Sequence, residues 1–99
     1  MTINITRNEE KTTLAVLGRL DTGTAPKLQE TLLSEFGAAN HIELDFTGLV
    51  YISSAGLRVL LLGEKTAKAR GGRQTIVNAS PDINEVFEIT GFSGILHFE

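Results

Sequence analysis

The chain has no cysteine and no tryptophan, only two prolines, and no long apolar run. The absence of cysteine excludes disulfides, a thiolate nucleophile and zinc sites built on thiolates, and it fits a reducing compartment. No apolar run exceeds four residues, the length of VLLL at residues 59–62, which is far shorter than the roughly 20 residues that span a bilayer. The N-terminus has acids where a signal peptide would be basic. We therefore expect a soluble, cytoplasmic protein without membrane partners.

Positive charge is also scarce. Nine lysines and arginines against twelve acids give a formal net charge of −3 over the 99 residues. No local cluster supplies the basic surface that nucleic-acid phosphates require. The most basic segment, KTAKARGGR, closes a predicted helix, where cations suit the helix dipole and face solvent. We expect no nucleic-acid partner.

Apolar periodicity predicts a single domain, residues 1–99, in which strands and helices alternate. The segments TINITRN, TTLAVLG and HIELDF and the residues around 75–77 are typical of strands. The first two predict an N-terminal hairpin, and the second is apolar enough to be buried on both faces and central. The fold class is therefore α/β: a mixed β-sheet with an N-terminal hairpin and helices packed on it.

Three helices are indicated by their start and stop residues. APKLQETLLSEF should begin after a cap at Thr24 and end at Gly37, and PDINEVFEIT should begin after Ser80 and end at Gly91. Between them, SAGLRVLLLGEKTAKARGG predicts a long helix whose N-terminal half is buried. The tail ILHFE either adds a short last strand or packs as an extension.

Most chemistry-bearing motifs are missing. His41 and His97 open a strand and end the chain, without a clear partner for a metal, so we predict surface histidines, no metal and no cofactor. No Walker loop and no G-x-G-x-x-G follows a strand.

The segment YISSAGLRVLL raises three possibilities for Ser53 and Ser54: a helix cap, a nucleophile, or a phosphate site. A serine-hydrolase elbow needs glycine where Ile52 stands, so an esterase is disfavoured. Capping is the simplest role. However, the pair follows the strand at 41–46, at an edge where α/β sheets place their sites, and the positive end of a helix favours an anion.

The stretch LDFTGLVYISSAGLRVLL resembles the central signature of the STAS domain, in particular that of bacterial anti-sigma factor antagonists. LGRLDTGTAPKLQETL and GGRQTIVNASPDINEVFEITGF are similar to the family's upstream marker and its closing strand and helix, so the resemblance spans nearly the whole chain. It implies a non-enzymatic partner-switching protein of transcription regulation. Unphosphorylated antagonist captures an anti-sigma factor, often a serine kinase, and frees a sigma factor; phosphorylation prevents capture, and a phosphatase restores it.

The resemblance assigns Ser54 as the phosphorylated serine and Asp21, Asp45 and Gly56 as motif residues. Two positions depart from the family pattern: Ser53 replaces an acid and is a competing phosphoacceptor, and Ala55 replaces a serine or threonine. The residues that we expect to bind the partner are Asp21, Thr22, Asp45, Ser53, Ser54, Gly56 and Arg58.

We hypothesise that Ser54 caps a helix beginning near Gly56 and lies at the centre of a face made by the loops after Leu20 and Phe46. Arg58, four residues further along the helix, either pairs with the partner or the phosphate or is simply solvated. Asp21 and Asp45 either contribute acidity to this rim or serve turns and caps. The alternative function is an accessory subunit of a transport or stress-signalling complex that acts without phosphorylation.

Overall fold

The computed structural model describes residues 1–99 as five strands, three α-helices and one short 3-10 turn. In chain order these are β1 Thr2–Arg7, β2 Thr12–Leu20, α1 Ala25–Phe36, β3 His41–Asp45, β4 Leu49–Ile52, α2 Ser54–Ala69, β5 Arg73–Val77, α3 Pro81–Thr90 and the 3-10 turn Phe92–Gly94. The predicted α/β architecture is confirmed. The strand β4 was not predicted.

The sheet is organised around β2. Its first half pairs in parallel with β3 and its second half in parallel with β4, while β1 lies antiparallel on the other side. The strand β5 extends the sheet beyond β3, also in parallel. The predicted hairpin and the central place of β2 are therefore confirmed.

Only one face of β2 is fully buried, so the prediction of burial on both faces was wrong. Leu14 and Val16 are inaccessible on one face, whereas Leu17 on the other is 38% exposed. The buried face is the one that meets the helices. On this face Thr12 of β2 pairs with Ile42 of β3, which pairs with Gln74 of β5. Gln74 Nε2 donates a hydrogen bond to the carbonyl of Leu60 in α2 at 3.0 Å.

The strand β1 lies at the edge of the sheet. Ile3 and Ile5 lie opposite Val16 and Leu14, on the helix face, as their alternation predicted. Because no further strand or helix covers this edge completely, Ile5 remains partly exposed. The apolar pattern thus identified the strand and its face but not the depth of burial.

The ends of α1 and α3 follow the predicted residues, although one of the predicted caps lacks its hydrogen bond. Ser80 Oγ accepts a hydrogen bond from the amide of Ile83 at 3.2 Å, and Gly91 ends α3 in the left-handed region at φ 81°. Thr24 occupies the N-cap position of α1 but makes no capping hydrogen bond. Its hydroxyl bonds instead to the backbone of the preceding turn, as described below.

The core is a cluster of 20 buried apolar residues between the sheet and the helices. The C-terminal tail forms one parallel bridge, between Ile76 and Phe98, rather than a full strand. The ring of Phe98 packs against that of Phe87, with centroids 5.3 Å apart. No helix of this fold has both the length and the apolar character needed to cross a membrane.

One ion pair ties the edge strand to α1. Arg7 Nε and a terminal guanidinium nitrogen donate to Glu35 Oε1 and Oε2 at 2.9 and 2.8 Å. Hydrogen bonding to Arg7 is the main reason that the pKa of Glu35 is lowered, against the opposing effect of burial. The paired state of Glu35 therefore stabilises the fold at neutral pH.

We expect Arg7→Gln to destabilise the protein at neutral pH, with a difference from wild type that shrinks in acid. A carboxylate with a lowered pKa contributes stability above its unfolded pKa of about 4.3, and this contribution is lost as pH falls through the folded value. Urea unfolding of both proteins at neutral pH and at about pH 3 measures the effect. A destabilisation independent of pH would contradict an ionic role for this pair.

Candidate functional site

The two serines occupy different positions at the start of α2. The helix begins at Ser54, and Ser53 holds the N-cap position with extended backbone angles, φ −102° and ψ 176°. The hypothesis that Ser54 caps a helix beginning near Gly56 was therefore wrong. Ser54 is the first helical residue and is exposed.

The hydroxyl of Ser53 points inward. Its Oγ is inaccessible and has no hydrogen-bond partner. The backbone on either side is tied down, because the Ser53 amide donates to Leu20 O at 2.9 Å and its carbonyl accepts from the Leu57 amide at 3.0 Å. Of the two hydroxyls, only that of Ser54 belongs to an exposed residue.

The N-terminus of α2 lacks the usual side-chain cap. The first amides of a helix have no acceptor within the helix, and Ser53 Oγ, which could accept from one of them, forms no such bond. The first turn also carries no acidic residue. The positive end of this 16-residue helix therefore remains available to an anion beside Ser54.

Gly56 lets α2 approach the sheet closely. A Cβ atom at this position would lie 2.7 Å from Leu20 Cγ and 2.9 Å from Ile52 Cγ1, closer than packed carbons allow. Gly56 is itself buried. It therefore positions the serine turn against β2 and β4, and its burial removes it from the surface to which we had assigned it.

The turn between β2 and α1 lies beside the serines, because Leu20 bonds to Ser53. Asp21 Oδ1 accepts hydrogen bonds from the amides of Gly23 and Thr24 at 3.0 and 3.1 Å. Thr24 Oγ1 donates to Arg19 O at 2.8 Å and closes the turn from the other side. Asp21 thus has the turn-forming role.

The carboxylate of Asp21 is held in its ionised form. Burial raises its pKa, but the hydrogen bonds from Thr24 and Gly23 and the charge of Arg19 together lower it below its usual value. The ionised carboxylate of Asp21 therefore stabilises its own turn through these hydrogen bonds.

A shallow groove of about 360 Å³ runs between α1 and α2 next to this turn. Thr22 lies at its mouth, and Arg58 lines its α2 side. Both are exposed, and Arg58 forms no ion pair within the chain. The groove brings together two of the predicted partner-binding residues.

Asp45 is not among the residues that line this groove. It pairs in register with Ala15, whereas the strand that leads to the serines pairs with Leu20. The stretch of β2 between these two positions spans about 16 Å. Local residue patterns carry no information on this register.

Instead, Asp45 serves the turn after β3. Its Oδ1 accepts from Thr47 Oγ1 at 2.7 Å, from the Thr47 amide at 3.0 Å and from Asn78 Nδ2 at 3.2 Å. The hydroxyl of Thr47 is the main reason that its pKa is lowered. The interaction with Asn78 also joins the ends of β3 and β5.

The histidines form their contacts elsewhere. His41 Nε2 lies 3.0 Å from Thr75 Oγ1, and His97 Nδ1 lies 3.1 Å from Glu64 Oε1. The serine–histidine pairing that a hydrolase needs is therefore not formed. No group of three or more histidine or acidic side chains is arranged to hold a metal ion.

Arg19 and Tyr51 were not among the predicted site residues. The guanidinium carbon of Arg19 lies 4.0 Å from the centre of the Tyr51 ring, and the two residues are partners in the pairing of β2 with β4. Tyr51 is three residues before Ser54. In the sequence, only the closeness of a tyrosine to the serine pair pointed to this contact. Its arginine partner could not be identified, because the two residues meet through the pairing of β2 with β4, and β4 was not predicted.

Comparison with known proteins gives consistent matches along the chain. Residues 3–97 match the family model described as "Mlab, STAS domain". BtrV of Bordetella bronchiseptica is 37% identical over 79 residues, which cover 79% of this chain and 68% of that protein. The anti-sigma-B factor antagonist of Bacillus subtilis is 30% identical over 96 residues, covering 95% of this chain and 86% of the relative.

The fold also matches a solved structure, that of the anti-sigma factor antagonist SpoIIAA in its unphosphorylated form. The TM-score is 0.84 at 20% identity, and the match covers 99% of this chain and 88% of the other. At this level of identity the match establishes the common fold.

The inward position of the Ser53 hydroxyl predicts an unusual response to mutation. Removing a capping serine typically costs about 1 kcal/mol, and we expect this loss for Ser80→Ala, whose Oγ accepts from Ile83. We expect a smaller loss for Ser53→Ala, because its Oγ forms no hydrogen bond. Denaturant unfolding of the two variants measures the difference, and equal losses would show that Ser53 caps the helix after all.

Proposed function

The chain belongs to the STAS domain family, and on this premise we propose that it is an anti-sigma factor antagonist controlled by phosphorylation of Ser54. Unphosphorylated, it binds an anti-sigma factor and thereby releases a sigma factor. The proposed partner is itself a serine kinase that modifies Ser54, and a phosphatase reverses the modification. The chain acts by binding rather than by catalysis, within the cytoplasm.

The observation that carries the choice of Ser54 is the contrast between the two serines. Ser54 is exposed on the first turn of α2, whereas the Ser53 hydroxyl is buried. A kinase must reach the hydroxyl with its active site, so exposure supports Ser54 as the acceptor even though Ser53 replaces the acid common in the family.

The uncapped end of α2 supports a modification that leaves the fold intact. A phosphoryl group adds about −1.5 to −2 charges, and a negative charge at a helix N-terminus is stabilising. The same dianion is costly to desolvate beneath a bound protein. Phosphorylation is therefore expected to weaken the complex without destabilising the free chain.

Arg58 is proposed to belong to the same contact face. It is one helical turn beyond Ser54 and lies in the groove beside Thr22. Its guanidinium forms no ion pair within the chain, so it is free to bind a partner or the phosphate. Loss of partner affinity in Arg58→Ala supports this role, and unchanged affinity and phosphorylation rate support a solvated arginine.

The acceptor is identified by phosphorylation in vitro. The anti-sigma factor kinases of the source organism are purified and incubated with wild type, Ser53→Ala and Ser54→Ala in the presence of ATP. We expect one added phosphate by intact mass in wild type and in Ser53→Ala, and none in Ser54→Ala. Phosphate on Ser54→Ala but not on Ser53→Ala would reverse the assignment.

The switch is tested by titrating the kinase with unphosphorylated and phosphorylated chain. We expect phosphorylation to weaken binding at least about tenfold, because a charged group would be desolvated at the interface. Ser54→Asp should weaken binding in the same direction, and Ser93→Asp, at an exposed serine of the 3-10 turn, should not.

Circular dichroism and thermal unfolding establish that each variant is folded. Equal affinity of both phosphorylation states would contradict the switch. Binding without any phosphate transfer, in vitro or on protein from native cells, would favour the alternative of an accessory subunit that works through fixed contacts.

A further inference from the structure

Four exposed residues lie where the second half of β2 pairs with β4. We define this cluster, the β4 patch, by Leu17, Arg19, Val50 and Tyr51. Val50 is 71% exposed, the highest value for an apolar strand residue, and Leu17 and Tyr51 are 38% and 39% exposed. These groups are adjacent because β2 and β4 pair from Gly18 to Leu20.

An irregularity in this pairing creates the patch. The register shifts between Gly18 and Arg19, so β4 has one more residue than the segment that it pairs with. As a result both Val50 and Tyr51 are exposed, while Leu49 and Ile52 remain in the core. Bulges change the direction of side chains, and here two neighbouring side chains are exposed instead of one.

Arg19 brings to the patch a cation whose hydrogen-bond donors have no acceptor within the chain. It lies over the ring of Tyr51 and forms a long ion pair with Asp21, whose Oδ2 is 3.8 Å from the Arg19 Nε, beyond hydrogen-bond distance. The carboxylate of Asp21 is engaged by the amides of its own turn. The guanidinium is therefore held in place by stacking while its donors stay free, an arrangement that suits a carboxylate from another molecule.

The patch is continuous with the serine site. Tyr51 precedes Ser54 by three residues, a span of roughly 10 Å. A standard interface covers about 800 Å² on each partner, which is wide enough to include both. Tyrosine and arginine are also the residue types that most often dominate binding energy.

We infer that the β4 patch is a second contact region for the anti-sigma factor, an inference that rests on the proposed function. The fitting partner segment places an apolar side chain against Val50 and Leu17 and a carboxylate against Arg19. A second copy of this chain fits less well, because its own patch carries no free carboxylate to receive Arg19.

The test measures affinity for the purified kinase that binds the unphosphorylated chain. We expect Val50→Asp and Arg19→Glu each to weaken binding by about tenfold or more, as for residues at the centre of an interface. The matched controls are Ile89→Asp, a 77% exposed apolar residue on α3, and Lys65→Glu, an exposed cation on α2. We expect them to change affinity less than about threefold.

Two further measurements sharpen the result. Raising the salt concentration should weaken kinase binding by the wild type more than kinase binding by Arg19→Gln, because the variant lacks the proposed ion pair. Sedimentation of the free chain reports whether the patch joins two copies, and a dimer abolished by Val50→Asp would overturn the inference.

The outcomes separate this inference from the proposed function. If wild type binds and the patch variants bind equally well, the inference fails and the proposed function stands. If the controls weaken binding as much as the patch variants, the effect is one of general charge and the inference also fails. If no anti-sigma factor of the source organism binds wild type, both are contradicted.

Discussion

The pairing of β2 with two successive strands is the interaction on which the rest of the structure depends. A single strand aligns with β3 along its first half and with β4 along its second half. This arrangement delivers the chain from the sheet to the start of α2 next to Leu20, and it places the serine pair beside the turn of Asp21. It also separates Asp45 from the serine pair, because Asp45 pairs with Ala15 in the first half of β2.

Much of this fold follows from local patterns in the sequence. The α3 helix has its serine cap, its proline in the first turn and its terminal glycine, and all three perform the expected roles. β4 could not be predicted, because it has four residues, follows a glycine, and exposes two neighbouring apolar side chains where alternation would bury one. Its existence depends on the second half of β2, more than 25 residues earlier in the chain, and such long-range pairing leaves no periodic signal.

In the candidate site, the place of Ser54 could be predicted from the sequence, but the roles of its neighbours Ser53 and Gly56 could not. The position of Ser54 at the head of a helix follows from the serine pair and the apolar run behind it. The burial of the Ser53 hydroxyl depends on the bond between its amide and Leu20, and the role of Gly56 depends on the side chains of Leu20 and Ile52. Asp21 and Asp45 each hold a turn, and the same region carries the cations Arg19 and Arg58. Although the chain is acidic overall, this region offers cations.

The missing cap of α2 has a consequence for motion. A helix whose first turn is secured by its own side chain can fray and close independently of its surroundings. Here the first turn is secured by the sheet, through the amide of Ser53 on Leu20 and the close approach of Gly56. Opening at this end of α2 therefore requires the edge of β2 and β4 to loosen with it, so we expect the helix terminus and the adjacent strands to exchange their amide protons as one cooperative unit.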